Sequence, residues 1–245
     1  MEPIFEAVLM GESVVVRLLR DRPAAIGARM SRDLLVRAIP HALYEGDTSL
    51  HLAAAGLQTA VAALLLERGA DPNAENRRGA TPLHYACDAR PRAGGVWQPE
   101  EQSALIRLLA GHAAELDRGD RGGATPLHRA VRARSVAAVR QLLALAACCD
   151  SRLAPRGSTP LHLAVRSTGA SGTAATLGEQ LEIVALLLAH GADPDAADAS
   201  GRTPRDGAKS GAVRDALENG ARRRGLARSA EPRIVPKKTS RRKRD

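Results

Sequence analysis

The sequence predicts an all-α solenoid, in which one helix pair is repeated and stacked along the chain. The tetrapeptide Thr-Pro-Leu-His occurs at residues 81–84, 125–128 and 159–162, with a near copy at 48–51 and a truncated copy at 203–204. The threonines of these copies are 33, 44, 34 and 44 residues apart, which indicates a basic period near 33 with an insertion in two units. Such a period is typical of units that stack only on their neighbours. Function must then come from an exposed surface, because such a stack has no built-in catalytic pocket.

The tetrapeptide predicts the start of the first helix in each unit. The threonine hydroxyl can accept a hydrogen bond from a free N–H of the first turn, and proline fits at the first helical position because its N–H is not needed there. The residues that follow, such as Leu83 to Ala86 and Leu127 to Val131, are apolar or small at helical spacing. We therefore expect a helix that approaches its neighbours closely.

A second helix is predicted later in each unit from apolar residues at positions i, i+3 and i+4. One antiparallel helix can cover such a stripe, so each unit is predicted to be a helix pair. The stripe consists of Val61, Leu64 and Leu65, and it recurs as Leu105, Leu108 and Leu109, as Val139, Leu142 and Leu143, and as Ile183, Leu186 and Leu187.

Turns are predicted between the helix pairs. After the second helix come Gly69-Ala-Asp-Pro and Gly191-Ala-Asp-Pro, where glycine suits the left-handed position that ends a helix and proline prevents its continuation. Short polar runs that end in glycine then precede the next unit and are typical of hairpin tips. We expect these tips to project as fingers from one edge, at residues 76–79, 120–123, 154–157 and 198–201.

The repeated pattern resembles the ankyrin-repeat family over residues 44 to 217, most closely at Leu181 to Asp195. The resemblance implies stacked helix pairs with β-hairpin-like turns, and it implies that the motif histidines hold the turn by hydrogen bonding. Two turns depart from the family pattern, because Ala113 and Ala147 stand where the family has glycine, and we expect these hairpins to be distorted. In the last unit Arg205 replaces the buried leucine, which is typical of a terminal cap.

The domain organisation predicted from these patterns has three parts. Residues 1–43 form degenerate N-terminal capping helices and a connection with some helix in it. The ankyrin-repeat array of about five or six units follows at 44–217, with insertions at about 88–102 and 167–179. Residues 218–245 form a disordered basic tail.

The tail accounts for the positive charge of the chain. Residues 221–245 contain eleven Lys and Arg and two acidic residues, a net charge of +9, which equals the net charge of the whole chain and leaves the repeats formally neutral. Three interpretations stay open: a solvated tail with no specific role, attraction to nucleic acid or another anionic surface, and a nuclear import signal. The cations of the terminal run are Lys237, Lys238, Arg241, Arg242, Lys243 and Arg244.

Other classes of function find little support in the sequence. The chain has no run of 18 apolar residues and no basic leader, so we expect a soluble, cytoplasmic protein, with the nucleus as the alternative in a eukaryote. Its three cysteines, Cys87, Cys148 and Cys149, are interpreted as small buried residues. The motif histidines are too far apart to share a metal ion, and the usual hydrolase and nucleotide-binding motifs are absent. We therefore expect no enzyme activity, cofactor or metal.

Protein binding is the predicted function. In the family, partners meet the hairpin tips and the exposed side of each first helix, and several arginines occupy these positions here. Arginine is enriched at interface hot spots and binds carboxylates in bidentate fashion, so an acidic protein segment is the expected partner of a monomeric chain; scattered arginines without a role are the alternative. Trp97, in the first insertion, is either a further anchor or a cover for a neighbouring helix. The predicted arginines are Arg77, Arg78, Arg121, Arg132, Arg156 and Arg166.

Overall fold

The computed structural model describes residues 2–35, 42–88, 99–166 and 174–230, and these residues form helix pairs stacked side by side. The odd-numbered helices are the first members of the pairs and pack in one row, and the even-numbered helices pack in a second row. The helices are α1 (Pro3–Met10), α2 (Glu12–Asp21), α3 (Ser49–Ala55), α4 (Thr59–Glu67), α5 (Pro82–Asp88), α6 (Pro99–Gly111), α7 (Pro126–Arg132), α8 (Val136–Ala144), α9 (Pro160–Val165), α10 (Ala174–Ala189), α11 (Pro204–Gly207) and α12 (Gly211–Ala230).

The segment before residue 44 contains the pair α1 and α2, whose buried side chains join the same apolar core as the repeats. The regular elements in the described part of the connection that follows are a short 3₁₀ helix, Pro23–Gly27, and two antiparallel strands. The strands β1 (Leu34–Leu35) and β2 (Ala42–Leu43) pair Leu34 with Leu43. Within the described residues, this connection thus contains one short helix and extended segments.

Several helix ends differ from the sequence-based boundaries. Helix α6 starts at Pro99 and α10 at Ala174, so the last residues of each predicted insertion belong to a second helix. The predicted tail begins at residue 218, inside α12, which continues to Ala230. Gly220 lies where α12 packs on α10, because a Cβ at this position would be 2.8 Å from Leu188 Cδ1. The contact between α12 and α10 thus reaches past residue 217, where the repeat pattern of the sequence ends.

The two turns that lack glycine are regular rather than distorted. The alanines that take the left-handed conformation are Ala113, with φ 63°, and Ala146, with φ 65°; the position equivalent to the turn glycine is therefore Ala146 and not Ala147. The N–H of Ala147 donates to Leu142 O at 3.0 Å, as that of Ala70 does to Leu65 O at 2.9 Å. The alanines thus accept backbone strain that glycine would avoid.

The motif histidines connect each unit to the next. In every copy Nδ1 accepts from the backbone N–H of the motif threonine, and Nε2 bonds a backbone carbonyl just before the following unit. A carbonyl only accepts, so Nε2 carries the proton and the imidazole is neutral. The Nε2 bonds run from His51 to Ala80 O at 3.0 Å, from His84 to Ala124 O at 2.8 Å, from His128 to Ser158 O at 3.3 Å, and from His162 to Arg202 O at 3.0 Å.

The prediction that all three cysteines are buried is wrong for Cys148. Cys87 lies fully inside the core, where burial raises the pKa of its thiol. Cys148 is exposed and Cys149 is half-buried, because they follow the turn at Ala146 and leave the packed part of the unit.

Candidate functional site

Three of the four fingers between the units are stabilised by a side chain of their own. Asp120 Oδ1 accepts the N–H groups of Gly122 at 2.9 Å and Ala124 at 3.0 Å, and Asn76 and Asp198 make the same pair of bonds in their fingers. Each finger is also joined to the preceding one by a backbone bond. These bonds run from Arg77 N to Glu45 O, from Arg121 N to Arg78 O, from Ala154 N to Gly122 O and from Ala199 N to Arg156 O, at 2.8–3.0 Å.

All six predicted arginines lie exposed on the surface formed by the fingers and first helices. The structure brings them together in two cavities rather than one. The first, which we call the proximal groove, contains Arg77, Arg78, Arg121 and Arg132, and the second, the distal groove, contains Arg156 and Arg166. Trp97 and the terminal lysines and arginines lie outside the described residues.

The proximal groove has a volume of about 780 Å³. Tyr44 and the first two fingers line one side of it, and residues of α5 and α7 line its floor. The Arg78 guanidinium carbon lies 4.0 Å from the centre of the Tyr44 ring, and that of Arg77 lies 6.0 Å from it. Arg77 also forms an ion pair with Asp33. The aromatic face positions two cations without neutralising Arg78.

Arg129 forms a largely buried ion pair in the floor of the proximal groove. Its guanidinium donates to Asp120 Oδ2 at 2.7 Å and to Asp88 Oδ2 at 3.2 Å, with 9% of the side chain exposed. Burial alone would raise the pKa of Asp120, but the hydrogen bonds from Arg129 and from the finger N–H groups lower it overall. Both carboxylates are thus engaged within the protein, and this arrangement joins α5, α7 and the finger between them.

The distal groove has a volume of about 480 Å³ and lies over α9 and α11. Its cations are Arg156, Arg166, Arg202 and Lys209, and its carboxylates are engaged locally. The Ser200 hydroxyl and the N–H groups of its own finger lower the pKa of Asp198 to about 2. The N–H and hydroxyl of the motif threonine lower the pKa of Asp206 in the same way. The carboxylates of Asp198 and Asp206 therefore both accept hydrogen bonds from backbone N–H groups of the protein itself.

Several cations in the two grooves have no acidic partner among the described residues. In the proximal groove these are Arg78, Arg121 and Arg132, and in the distal groove they are Arg156, Arg166 and Lys209. The internal segments outside the description, 36–41, 89–98 and 167–173, contain no Asp or Glu. The two grooves therefore present unneutralised positive charge on repeats that are neutral overall.

Two residues of the proximal groove escaped the sequence-based prediction. Tyr44 precedes the first motif, so the repeat pattern did not mark it. Arg129 directly follows a motif histidine, where the other units have Leu52, Tyr85 and Leu163. Because the other units have an apolar or aromatic residue at the position of Arg129, the sequence alone could have indicated a buried ion pair there.

A cavity of about 820 Å³ lies on the opposite side, at the starts of the second helices. Its charged side chains are three arginines and three glutamates. Arg140 contacts Glu182, and Arg107 donates to Gln141 Oε1 at 2.8 Å. This cavity therefore has no preference for one sign of ligand charge.

Within the described residues, no group of His, Cys, Asp and Glu has the geometry of a metal site. The helices of this part of the chain also include none that is long and apolar enough to cross a membrane.

The stacked helix pairs, the linking histidines and the surface of fingers and first helices define a helical-repeat binding protein. A family model described as ankyrin repeats, in three copies, matches residues 4–93 and 98–198. The chain therefore belongs to the ankyrin-repeat family, and the match begins in α1, well before the first recognisable motif. Members of this family are generally non-catalytic protein-interaction modules. A search of curated proteins found no match to the sequence.

Proposed function

We propose that this protein is a non-catalytic interaction module that binds an acidic segment of a partner protein along its fingers and first helices. The observation that carries the proposal is the set of unneutralised arginines in the two grooves, on repeats whose formal net charge is zero. The cavity on the opposite side also contains three arginines, but three glutamates accompany them there.

The geometry of the grooves favours carboxylates as ligands. Arginine presents a rigid fork of N–H donors that matches a carboxylate in bidentate fashion. The Asn76 and Asp120 side chains fix the fingers that carry Arg78 and Arg121, and a backbone hydrogen bond joins these two fingers. Binding therefore costs the protein little conformational entropy. Single exposed ion pairs contribute little, and binding therefore needs several arginines at once.

The decisive experiment measures binding of a fluorescent glutamate-rich peptide to the full-length chain by anisotropy. The triple variant R78Q/R121Q/R132Q should bind the peptide about tenfold more weakly, because each of three exposed ion pairs contributes about 0.2–1 kcal/mol. The matched control is R17Q/R20Q/R68Q, which removes the same charge from exposed arginines of α2 and of the residue after α4. Equal losses in the two variants would refute a specific site.

The charge of residues 221–245 supports a second function, in which the tail binds nucleic acid or another anionic surface. Glutamine at the six cations of the terminal run separates the two. Tail-driven binding of a DNA duplex should fall steeply with salt and disappear in the tail variant, because it depends on release of counterions. If the tail variant also loses the peptide while the groove variant retains it, the tail carries the function.

A further inference from the structure

We infer that the proximal and distal grooves form one bipartite site for a single extended acidic segment, which carries two acidic clusters whose centres are about six residues apart. This inference rests on the proposed function and specifies the arrangement of charge in the partner.

The spacing follows from the order of the helices. The floor of the proximal groove belongs to α5 and α7, and that of the distal groove to α9 and α11, which are the next helices in the same row. The groove centres are thus two units apart. Packed helices lie 8–10 Å apart, so two units span roughly 20 Å, and an extended peptide covers this distance with about six residues at about 3.3 Å each.

The two grooves are matched in charge. Each has three cations without an acidic partner among the described residues: Arg78, Arg121 and Arg132 in one, and Arg156, Arg166 and Lys209 in the other. In both grooves the carboxylates are already bound, to Arg129 in the proximal groove and to finger or cap donors in the distal groove. An acidic cluster therefore meets the same kind of site twice.

The surface between the grooves belongs to the third finger and carries little charge. The third finger borders both, with Leu153 in the lining of the proximal groove and Arg156 in that of the distal groove. Between them lie Ala154 and Pro155, both exposed. The nearby Arg152 directs its guanidinium to backbone oxygens, donating to Ala197 O at 2.7 Å and Gly157 O at 3.1 Å. The middle of the bound segment therefore meets the apolar Ala154 and Pro155 beside one cation, Arg152, which suits a protein segment better than a strand with charge at every nucleotide.

The test compares three peptides that have the same six glutamates and differ only in their spacing. Two clusters of three glutamates are placed with centres about three, six or twelve residues apart, the first being an uninterrupted run, with Gly and Ser as spacers. Binding is measured by anisotropy to the full-length chain with glutamine at the six terminal cations. The peptide with centres about six residues apart should bind about tenfold more tightly than the uninterrupted run, which is too short to place three glutamates in each groove. It should also bind more tightly than the peptide with centres about twelve residues apart, whose longer flexible linker lowers the effective concentration of the second cluster.

Groove variants then locate the two halves of the site. R156Q/R166Q/K209Q and R78Q/R121Q/R132Q should each remove the advantage of the spaced peptide, whereas R17Q/R20Q/R68Q should preserve it. Equal affinity for the spaced and uninterrupted peptides, or an effect of only one groove variant, would overturn the bipartite site. An oligonucleotide that binds more tightly through the same residues would overturn the peptide as ligand. If even the uninterrupted peptide is indifferent to both groove variants, it is the proposed function itself that fails.

Discussion

At the scale of single residues, two alanines carry strain that the other units avoid with glycine. Ala113 and Ala146 have positive φ values of 63° and 65°, in turns where Gly69 and Gly191 have 86° and 92°. A left-handed conformation costs a residue with a Cβ about 1–2 kcal/mol. Both alanines are exposed, so their methyl groups contribute little packing in return.

We expect A113G and A146G each to raise the free energy of unfolding by about 1 kcal/mol, because relief of strain outweighs the added freedom of glycine in the unfolded chain. Urea denaturation measures the change. The reverse substitutions G69A and G191A provide the control and should destabilise by a similar amount, since a Cβ at either glycine meets open space and only the backbone conformation is at issue. Destabilisation by A113G would show that the turn tolerates alanine without strain.

Two glutamines replace backbone donors where the chain has insertions. In the units with short connections, a loop N–H donates to the carbonyl two residues after the motif histidine. In the inserted units the loop is displaced and a glutamine side chain donates to the same carbonyl. The bonds are Gln58 N to Ala53 O and Ser135 N to Ala130 O in the short units, and Gln102 Nε2 to Ala86 O and Gln180 Nε2 to Ala164 O in the inserted ones, at 2.8–3.0 Å.

Substitution Q102A should lower the free energy of unfolding by about 1–3 kcal/mol, because it removes the side chain that donates to Ala86 O at 2.8 Å and that accepts from the Ser135 hydroxyl. The matched control is Q58A, which should cost less than about 1 kcal/mol, since Gln58 makes the equivalent bond with its backbone and its side-chain oxygen has no partner. Both values come from urea denaturation, and equal costs would contradict the assignment.

At the scale of helices, the imidazoles join the start of one first helix to the segment that precedes the next. Burial lowers the pKa of His84 and of His128 to about 4, with the Arg129 charge as a further cause for His84 and the Arg132 charge for His128. Protonation at Nδ1 would remove its bond from the threonine N–H. The links between units are therefore intact only while the imidazoles are neutral.

Stability should fall as the medium is acidified from pH 7 to pH 5. The unfolded histidines bind protons near pH 6.5 whereas the folded ones bind them only near pH 4, so stability is full above pH 6.5 and is lost as the pH falls toward 4. At pH 5 each histidine should cost roughly 2 kcal/mol of unfolding free energy. Urea denaturation at the two pH values measures the loss, and an NMR titration of both rings near pH 6.5 in the folded protein would contradict it.

At the scale of the whole molecule, the main helix–helix contacts join neighbouring units. Each first helix packs on the first helices before and after it, and the second helices do likewise. The free energy of unfolding of such an array is a sum of terms for the units and for the junctions between them. A destabilising substitution in a terminal unit should therefore affect fewer units than one in a central unit.

We expect L217A, in α12, to increase amide hydrogen exchange in α9 to α12 while leaving α3 and α4 unchanged. The substitution L127A, at a buried position of α7, should increase exchange on both sides of the array, because it weakens two junctions at once. Both replace a fully buried leucine and should cost about 2–5 kcal/mol. Identical exchange patterns in the two variants would indicate one cooperative unit instead.

Sequence patterns determine the helix pairs more fully than the binding surface. The Thr-Pro-Leu-His motif predicted the start of α5, α7 and α9, because cap, proline and apolar spacing are local signals. The start of α6 has local signals, with Pro99 at the first helical position and acidic residues in the first turn, but the repeat pattern did not mark them. The packing of Gly220 of α12 on Leu188 is a contact between helices that no local pattern encodes. Exposure of the six arginines followed from their place in the unit, but their division between two grooves depends on how the fingers stack.

The four junctions from α3 to α11 carry the same kind of link, one imidazole to one carbonyl, and this uniformity bears on how the protein can evolve. A duplicated or deleted unit would bring its own link and leave the remaining junctions as they are. Gain or loss of a unit between α7 and α9 would therefore shift the two grooves relative to each other by a single helix spacing of about 10 Å. The length of peptide selected by a descendant would thus change in steps of about three residues, without redesign of either groove.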